Sequence, residues 1–539
     1  MGRDIFEDYI RGLSVYEKAE NIPKMLPSLE DRKDNGLAEE TVYVLREISR
    51  KLDGMSGPSE SRVMMQAATG TESAARANLQ HVDLAIINGM VVFPDSGTIQ
   101  TDVYVKDGKI CGLGKGSPFE ADRTIDASGK YVCPGIIDPH VHLGLFAPLK
   151  TDLMSETKAA AIGGITTIGV YFGGGESHFQ SFPKIEEEAE RYSYTDIVPH
   201  LVIGNENQKR EIRDYATYLG VTSFKVYMNG IPGMIPSVDD GFIMDVFEEL
   251  KKTGKNCILC CHTENTHLVG RALRDAKERY GEEGKIEHWA GTHPSMAEEE
   301  AVMRLSYLAE KAKMPVYMVH IGTKESANRL RTLKPYNKYL HVETTSPYLS
   351  VTGEQRKDAL YKMEPPLREE ADKEELWKAF EDGIIDTIGT DNVCETASEK
   401  QPDLPIWDVV PGYSVVETHL ASVLTEGVWK RGIGLEKLIA GMTKRPAETF
   451  GIYPQKGSLL PGSDADIVLI DLDKEQEVHA SMMASRSDFS IFEGRKLRGW
   501  PVMTIKGGRV VAEGGKLAWE VPSGLSLIHI SESTRRGYL

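Results

Sequence analysis

The segment Ser223–Asn265, SFKVYMNGIPGMIPSVDDGFIMDVFEELKKTGKNCILCCHTEN, reads as a strand, a helix and a second strand. SFKVYM and CILCCHTEN are short apolar runs of strand length, and FIMDVFEELKKTG between them is amphipathic. The same alternation recurs on both sides. GITTIGVYF precedes the helical PKIEEEAERYS, PVYMVHIG precedes SANRLRTL, and a long helix through Arg271 and Lys277 follows CILCCHTEN. From about 135 to 450 the β-then-helix pattern argues a parallel sheet, and seven or eight such units argue a closed (β/α)8 barrel of the TIM type. In such barrels the chemistry sits where the strands end.

The flanks of this α/β region read differently. Residues 82–134 hold short β-rich runs (VDLAIING, MVVFP, TDVYVKDGKICGLG, TIDASGKYVCPG) broken by Gly, Asp and Pro. A matching set returns within residues 451–520 as ADIVLIDLD, WPVMTIKGGRVVAEGG and KLAW. The two sets are expected to pair into one small β-sandwich domain. Residues 1–80 are expected to be an N-terminal extension, partly helical, with Leu45, Ile48 and Leu52 on one face of an amphipathic helix and Gly54 as its stop. The end, LSLIHISESTRRGYL over 525–539, resembles a translated sequencing adapter and is read as a non-native tail.

A chain of 539 residues can bury a large core, and its formal charge of −18 argues against nucleic acid or an anionic membrane as partner. It holds no apolar run of about 18 residues and no basic-then-apolar leader, so a cytoplasmic enzyme is expected. Six cysteines in so long a chain are no disulfide framework. Cys257, Cys260 and Cys261 fall in an apolar run without a second cysteine pair, which reads as buried thiols and not a zinc site.

Several apolar runs end on a residue able to ligate a metal. His140 and His142 in PGIIDPHVHLG are two apart, so on an extended strand they project to one face and can grip one ion. His262 in CHTEN, His320 in YMVHIG and Asp391 in IGTDN each close a separate run. A neutral imidazole at such a place is a good ligand for a divalent ion. Lys225 lies inside the apolar VTSFKVYM, where an unpaired ammonium is costly. Burial becomes reasonable once CO₂ has converted the amine to an anionic carbamate that bridges two cations.

With these landmarks, the stretch from about 82 to 520 resembles the amidohydrolase superfamily, in its hydantoinase, dihydropyrimidinase, allantoinase and dihydroorotase branch. The motifs are GIIDPHVHLG, AAAIGGITT, GVTSFKVYM, CHTEN, AEEEAVMRL, VHIG, PPLR, IGTDN, KGSLLPGSDADIVLID and SDFSIFEGRKLRGWPV. The resemblance implies a binuclear site, usually zinc, with Mn²⁺, Fe²⁺, Co²⁺ or Ni²⁺ as alternatives. One metal would be held by His140, His142, N6-carboxylated Lys225 and Asp391, the other by Lys225, His262 and His320. It implies attack by a metal-bridging hydroxide, with Asp391 as catalytic proton carrier, on a small cyclic amide, imide or ureide. It also implies a homodimer or homotetramer. An allantoinase-like or other lactam or imide hydrolase is the alternative, and a non-catalytic dihydropyrimidinase-related scaffold is a third reading that retention of all six ligand positions opposes.

Departures from the branch concern substrate recognition. Gly230 stands where an oxyanion-stabilising tyrosine is expected, Glu364 replaces the serine before PPLR, and VVPGYSVVE around Gly412 lacks the usual asparagine and is shorter. Tyr227 and Asn229 are the nearby candidates to replace the missing donor. Glu364 is expected to face substrate and to favour a donor-rich or cationic group, against the reading of a solvated loop glutamate.

Overall fold

The computed structural model describes residues 80–115, 119–231, 235–355, 358–522 and 524. The helix expected about Leu45, Ile48 and Leu52 and the tail 525–539 lie outside them. The first described stretch is a run of short strands: β1 (Gln80–Ile87), β2 (Met90–Phe93), β3 (Gly97–Gln100), β4 (Val103–Lys106), β5 (Lys109–Leu113), β6 (Phe119–Asp126) and β7 (Tyr131–Pro134). Asp107 and Gly108, with φ of 51° and 72°, make the tight turn that joins β4 to β5. An Asp-Gly pair supplies that doubly left-handed geometry at low cost.

The barrel follows as β8 (Ile136–His142), β9 (Ile165–Phe172), β10 (Asp196–Val202), β11 (Ser223–Tyr227), β12 (Ile258–His262), β13 (Val316–Met318), β14 (Leu340–Thr345), β15 (Thr387–Gly389) and β16 (Asn392–Val393). Between them run α1 (Leu149–Ile162), α2 (His178–Tyr192), α3 (Glu206–Asp214), α4 (Asp240–Lys252), α5 (Thr266–Tyr280), α6 (Ser295–Ala312), α7 (Lys324–Leu333) and α8 (Glu370–Glu381). All neighbouring barrel strands pair in parallel. β15 pairs with β14 and β16 pairs with β8, so these two short pieces are halves of one broken strand that closes the ring at eight strand positions. The seam is reinforced by Thr390, whose hydroxyl donates to Asp138 Oδ2 at 2.6 Å and whose N–H donates to Oδ1 at 3.0 Å.

Strand periodicity sorts the side chains. Phe224 and Val226 of β11 and Leu259 and Cys261 of β12 face outward, onto a core that includes Ile243, Val246, Phe247 and Leu250 of α4. Tyr227, Ile258, Cys260 and Tyr317 face inward, where Phe450 and Ile452 join them. Asp239 caps α4, its side chain accepting from Phe242 N–H at 2.8 Å. The cysteine-rich run therefore forms a buried strand; Cys257, Cys260 and Cys261 are free and buried, as are Cys133 and Cys394.

After the barrel come β17 (Ile467–Glu477), β18 (Lys496–Lys506), β19 (Arg509–Glu513) and β20 (Lys516–Leu517). β17 pairs antiparallel with β7, Val468 opposite Cys133, and so splices the two flanks into one sheet of order β20-β19-β18-β17-β7-β2-β3. The four-stranded sheet β5-β4-β1-β6 packs against it across Leu84, Ile86, Val103, Val105, Ile467, Leu469 and Ile505. Among the described residues no helix is long and apolar enough to cross a membrane.

Candidate metal centre

The two-residue period of β11 turns Lys225 and Tyr227 to the same inward face, because Phe224 and Val226 point out. The register between β11 and β12 sets Tyr227 beside His262, and the two rings stack at 28° with centroids 5.7 Å apart. His140 and His142 share the inner face of β8. His320 needs a different device, since alternation from Tyr317 and Val319 would turn it outward. Its backbone adopts a left-handed φ of 42°, which breaks the alternation and brings the ring into the cavity. Asp391 sits at the break in the eighth strand with φ of 54°. Non-glycine residues in this region are strained, and here both are candidate ligands.

One cavity is lined by His140, His142, Lys225, His262, His320 and Asp391 together. His140 Nε2 lies 3.2 Å from His142 Nε2 and 3.1 Å from Asp391 Oδ1, while His142 Nε2 lies 3.2 Å from the same oxygen. These three donor atoms form a cluster able to hold a metal ion. The ring of His320 stacks on His140 with centroids 5.7 Å apart and meets His262 edge-on at 4.6 Å.

Two buried glutamates hold the outer nitrogens of two of these histidines. His140 Nδ1 donates to Glu343 of β14 at 3.0 Å, and His262 Nε2 donates to Glu264 at 2.8 Å. A carboxylate on the far nitrogen fixes the tautomer and leaves the near nitrogen's lone pair aimed inward. Sequence reasoning assigned neither role. The available signal was a lone charge in an apolar strand, since LHVETT carries Glu343 much as SFKVYM carries Lys225.

Electrostatics follow this arrangement. Burial pushes the His140 imidazole down, but the carboxylates of Glu343 and Asp391 outweigh it and raise its pKa to about 9. Burial opposes ionisation of Asp391, yet His140, His142 and His320 hold its carboxyl well below the usual range. Burial lowers the pKa of Lys225, whose side chain is almost wholly enclosed. Its Nζ stands 4.4 Å from the centre of the Tyr171 ring and 5.0 Å from that of Tyr227. Burial also raises the Tyr227 phenol, which stays a neutral donor.

On the substrate side, Tyr227, Glu364 and Gly412 line the cavity, with Phe146, Ile231, Ile235, Met363 and Tyr413 around them. Asn229 and Gly230 do not line it. Gly230 is tucked under the following loop, where a Cβ would come within 2.3 Å of the Ile235 carbonyl oxygen and 2.5 Å of Ser237 N. Asn229 is buried and its amide turns to Glu264 Oε2 at 3.5 Å. Gly412 is equally close-packed, a Cβ there falling 2.7 Å from Glu395 Oε1. Its carbonyl is fixed by the buried Lys400, whose Nζ donates to it at 2.6 Å and pairs with Glu395 at 2.8 Å.

Known proteins share this architecture. The L-hydantoinase of Paenarthrobacter aurescens is 32% identical over 473 residues, covering 85% of this chain and 99% of its own. The D-hydantoinase of Rhizobium radiobacter is 34% identical over 448 residues, 80% of this chain and 96% of its own. The crystal structure of dihydropyrimidinase from Brevibacillus agri superposes with a TM-score of 0.75 at 27% identity, covering 83% of this chain and 99% of that one. The profile of the amidohydrolase family matches residues 131–511. Because that match runs from β7 through the whole barrel into β19, well over half of its length, the chain belongs to the amidohydrolase family.

Proposed function

We propose that this chain is a metal-dependent hydrolase that opens the ring of a small cyclic amide, imide or ureide. The observation that carries the reading is the convergence of His140 Nε2, His142 Nε2 and Asp391 Oδ1 at 3.1–3.2 Å in a cavity shared with Lys225, His262 and His320. The donor set fits a divalent cation. With Nδ1 of His140 donating a hydrogen bond to Glu343, Nε2 is the nitrogen turned to a second imidazole and a carboxylate oxygen, a donor set that a divalent cation would join in place of the ring's second proton. By the same logic His262, its Nε2 held by Glu264, has Nδ1 left to bind.

His140, His142, Lys225 and Asp391 would hold one ion, and Lys225, His262 and His320 the second, with Zn²⁺ the foremost candidate. When bound, a pair of divalent cations supplies Lewis acidity and makes water nucleophilic near neutral pH. Lys225 would offer ligand oxygens to the cations once its amine had added to CO₂ and released a proton; its burial favours the neutral amine that this addition requires. Asp391 takes the proton of the attacking water and delivers it to the ring nitrogen as the C–N bond breaks. Tyr227 supplies the hydroxyl that steadies the developing oxyanion, a role Gly230 has no side chain to fill.

The relatives named above support a cyclic amide as the substrate class, and the changed surroundings at Gly230, Glu364 and Gly412 favour a ring substituent other than theirs. Six free cysteines support a reducing compartment such as the cytoplasm. Metal-loaded protein offered cyclic ureides, imides and lactams, with Lys225→Ala as blank, tests the reading. Ring opening by the parent and none by the variant is expected; equal activity of the two refutes it. Bound metal near zero after growth with zinc or manganese would instead favour a non-catalytic scaffold.

A further inference from the structure

We infer that Glu364 is a specificity-determining residue that selects cyclic amides carrying a cationic ring substituent. The inference rests on the ring-hydrolase reading of the cavity. Glu364 lines the same cavity as the candidate ligands, and its side chain is only 12% exposed. A carboxylate so enclosed has lost most of its water and needs donors in exchange.

The protein supplies none at hydrogen-bond range among the described residues. The nearest cationic group is His293, whose Nε2 lies 4.0 Å from Glu364 Oε1, too far for a hydrogen bond. His293 is already committed on its other side, Nδ1 donating to Glu264 at 3.0 Å. Lys362 spends its ammonium elsewhere, on the carbonyls of Ile406 at 2.7 Å and Val409 at 2.6 Å and over the Trp289 ring. Arg368 donates to the backbone carbonyl of His293. The carboxylate of Glu364 therefore faces the cavity with no hydrogen-bond donor of the protein in reach among the described residues, its charge offset only at longer range by His293 and Lys362.

A neutral N–H on a ligand satisfies the hydrogen bond and leaves the charge; an ammonium or guanidinium satisfies both. An anionic substituent meets repulsion from Glu364. Phe146, Ile231, Ile235 and Met363 line the space with apolar surface, which suits a short aliphatic arm between ring and charge. The substrate class this combination selects is a hydantoin-like ring bearing an aminoalkyl or guanidinoalkyl arm.

The test compares kcat/KM of the metal-loaded full chain on three hydantoins that differ only in the arm, aminobutyl, butyl or carboxyethyl. The parent is expected to favour aminobutyl over carboxyethyl by about 100-fold or more, chiefly through KM. In Glu364→Gln the aminobutyl-to-butyl ratio falls by about 10- to 100-fold, the range of one charge-assisted hydrogen bond. Glu364→Ser shifts the ratio the same way, and thermal unfolding of both variants checks that they fold. Butyl turnover without a cationic preference, or with one that persists in both variants, overturns the role of Glu364 and leaves ring opening intact. Failure of the parent on all three hydantoins, where it opens another ring in the ureide, imide and lactam screen, overturns this inference alone; failure in that screen as well removes the hydrolase reading with it.

Discussion

Glu343 on β14 holds Nδ1 of His140 on β8 at 3.0 Å, across 203 positions of sequence but only the width of the broken eighth strand that lies between them. Both side chains are fully buried, so neither can find a substitute partner in solvent. The pair sets which nitrogen of His140 is free to bind.

Replacing Glu343 by Ala is expected to weaken metal affinity by about 10- to 100-fold, the usual cost of losing the carboxylate behind a ligating histidine. Competition against a chelator of known affinity measures this. Unchanged affinity would show that Glu343 does not orient the ring.

Reconstitution with metal should depend on dissolved CO₂. Apo protein loaded in CO₂-depleted buffer is expected to recover less activity than protein loaded with bicarbonate, and the difference should vanish in Lys225→Ala. Activity recovered equally in both buffers would sink the carbamate bridge.

Tyr227→Phe removes only the hydroxyl and keeps the ring stacked on His262. A drop in kcat of about 10²- to 10³-fold with unchanged metal content is expected, as for loss of one oxyanion donor. An unaffected kcat would move that role to another group.

Restoring a side chain at position 230 is not expected to restore a donor. A Cβ at Gly230 would meet the Ile235 carbonyl oxygen at 2.3 Å, so Gly230→Ala should destabilise the fold by about 1–3 kcal/mol and Gly230→Tyr by more. Thermal denaturation reports this, and a stable Gly230→Tyr protein with raised activity contradicts it.

Glu417 makes stability depend on pH. Its buried carboxylate accepts one hydrogen bond, from Ala484 N–H at 2.7 Å, and burial raises its pKa from 4.5 to about 7. The folded state keeps this proton where the unfolded state has lost it, so stability falls as pH rises from 4.5 through about 7. Glu417→Gln should remove that loss, on the order of 3 kcal/mol near pH 8 and little near pH 5. Equal unfolding midpoints for parent and variant across this range would contradict it.

The barrel was legible in sequence because strands covered on both faces are apolar throughout, and a polar residue closing such a run stands out. That is why His262, His320 and Asp391 could be singled out before any contact was known. Glu343 escaped because its role depends on a histidine of another strand 203 positions away, and Glu264 because it lies past the end of β12, where strand alternation no longer says which way a side chain turns. Lys225 and Tyr227 were legible as a pair, since two positions apart on a strand means one face. Asn229 lies past the end of β11, where that rule stops, and its amide turns to Glu264 instead of the cavity. The left-handed backbone at His320 had no signal either, because local sequence there predicts simple alternation and the cavity demands its reversal.

The break in the eighth strand ties catalytic competence to completion of the ring. Asp391 lies between the half-strand that pairs with β14 and the half-strand that pairs with β8, so it takes its place only when the last strand meets the first. A chain complete only through β14 carries His140, His142, Lys225, His262 and His320 but lacks Asp391, the proposed proton carrier, and has an open wall. With Asp391 in its proposed role, the fold is an interlock, in which hydrolytic chemistry is available only to a molecule whose ring has closed.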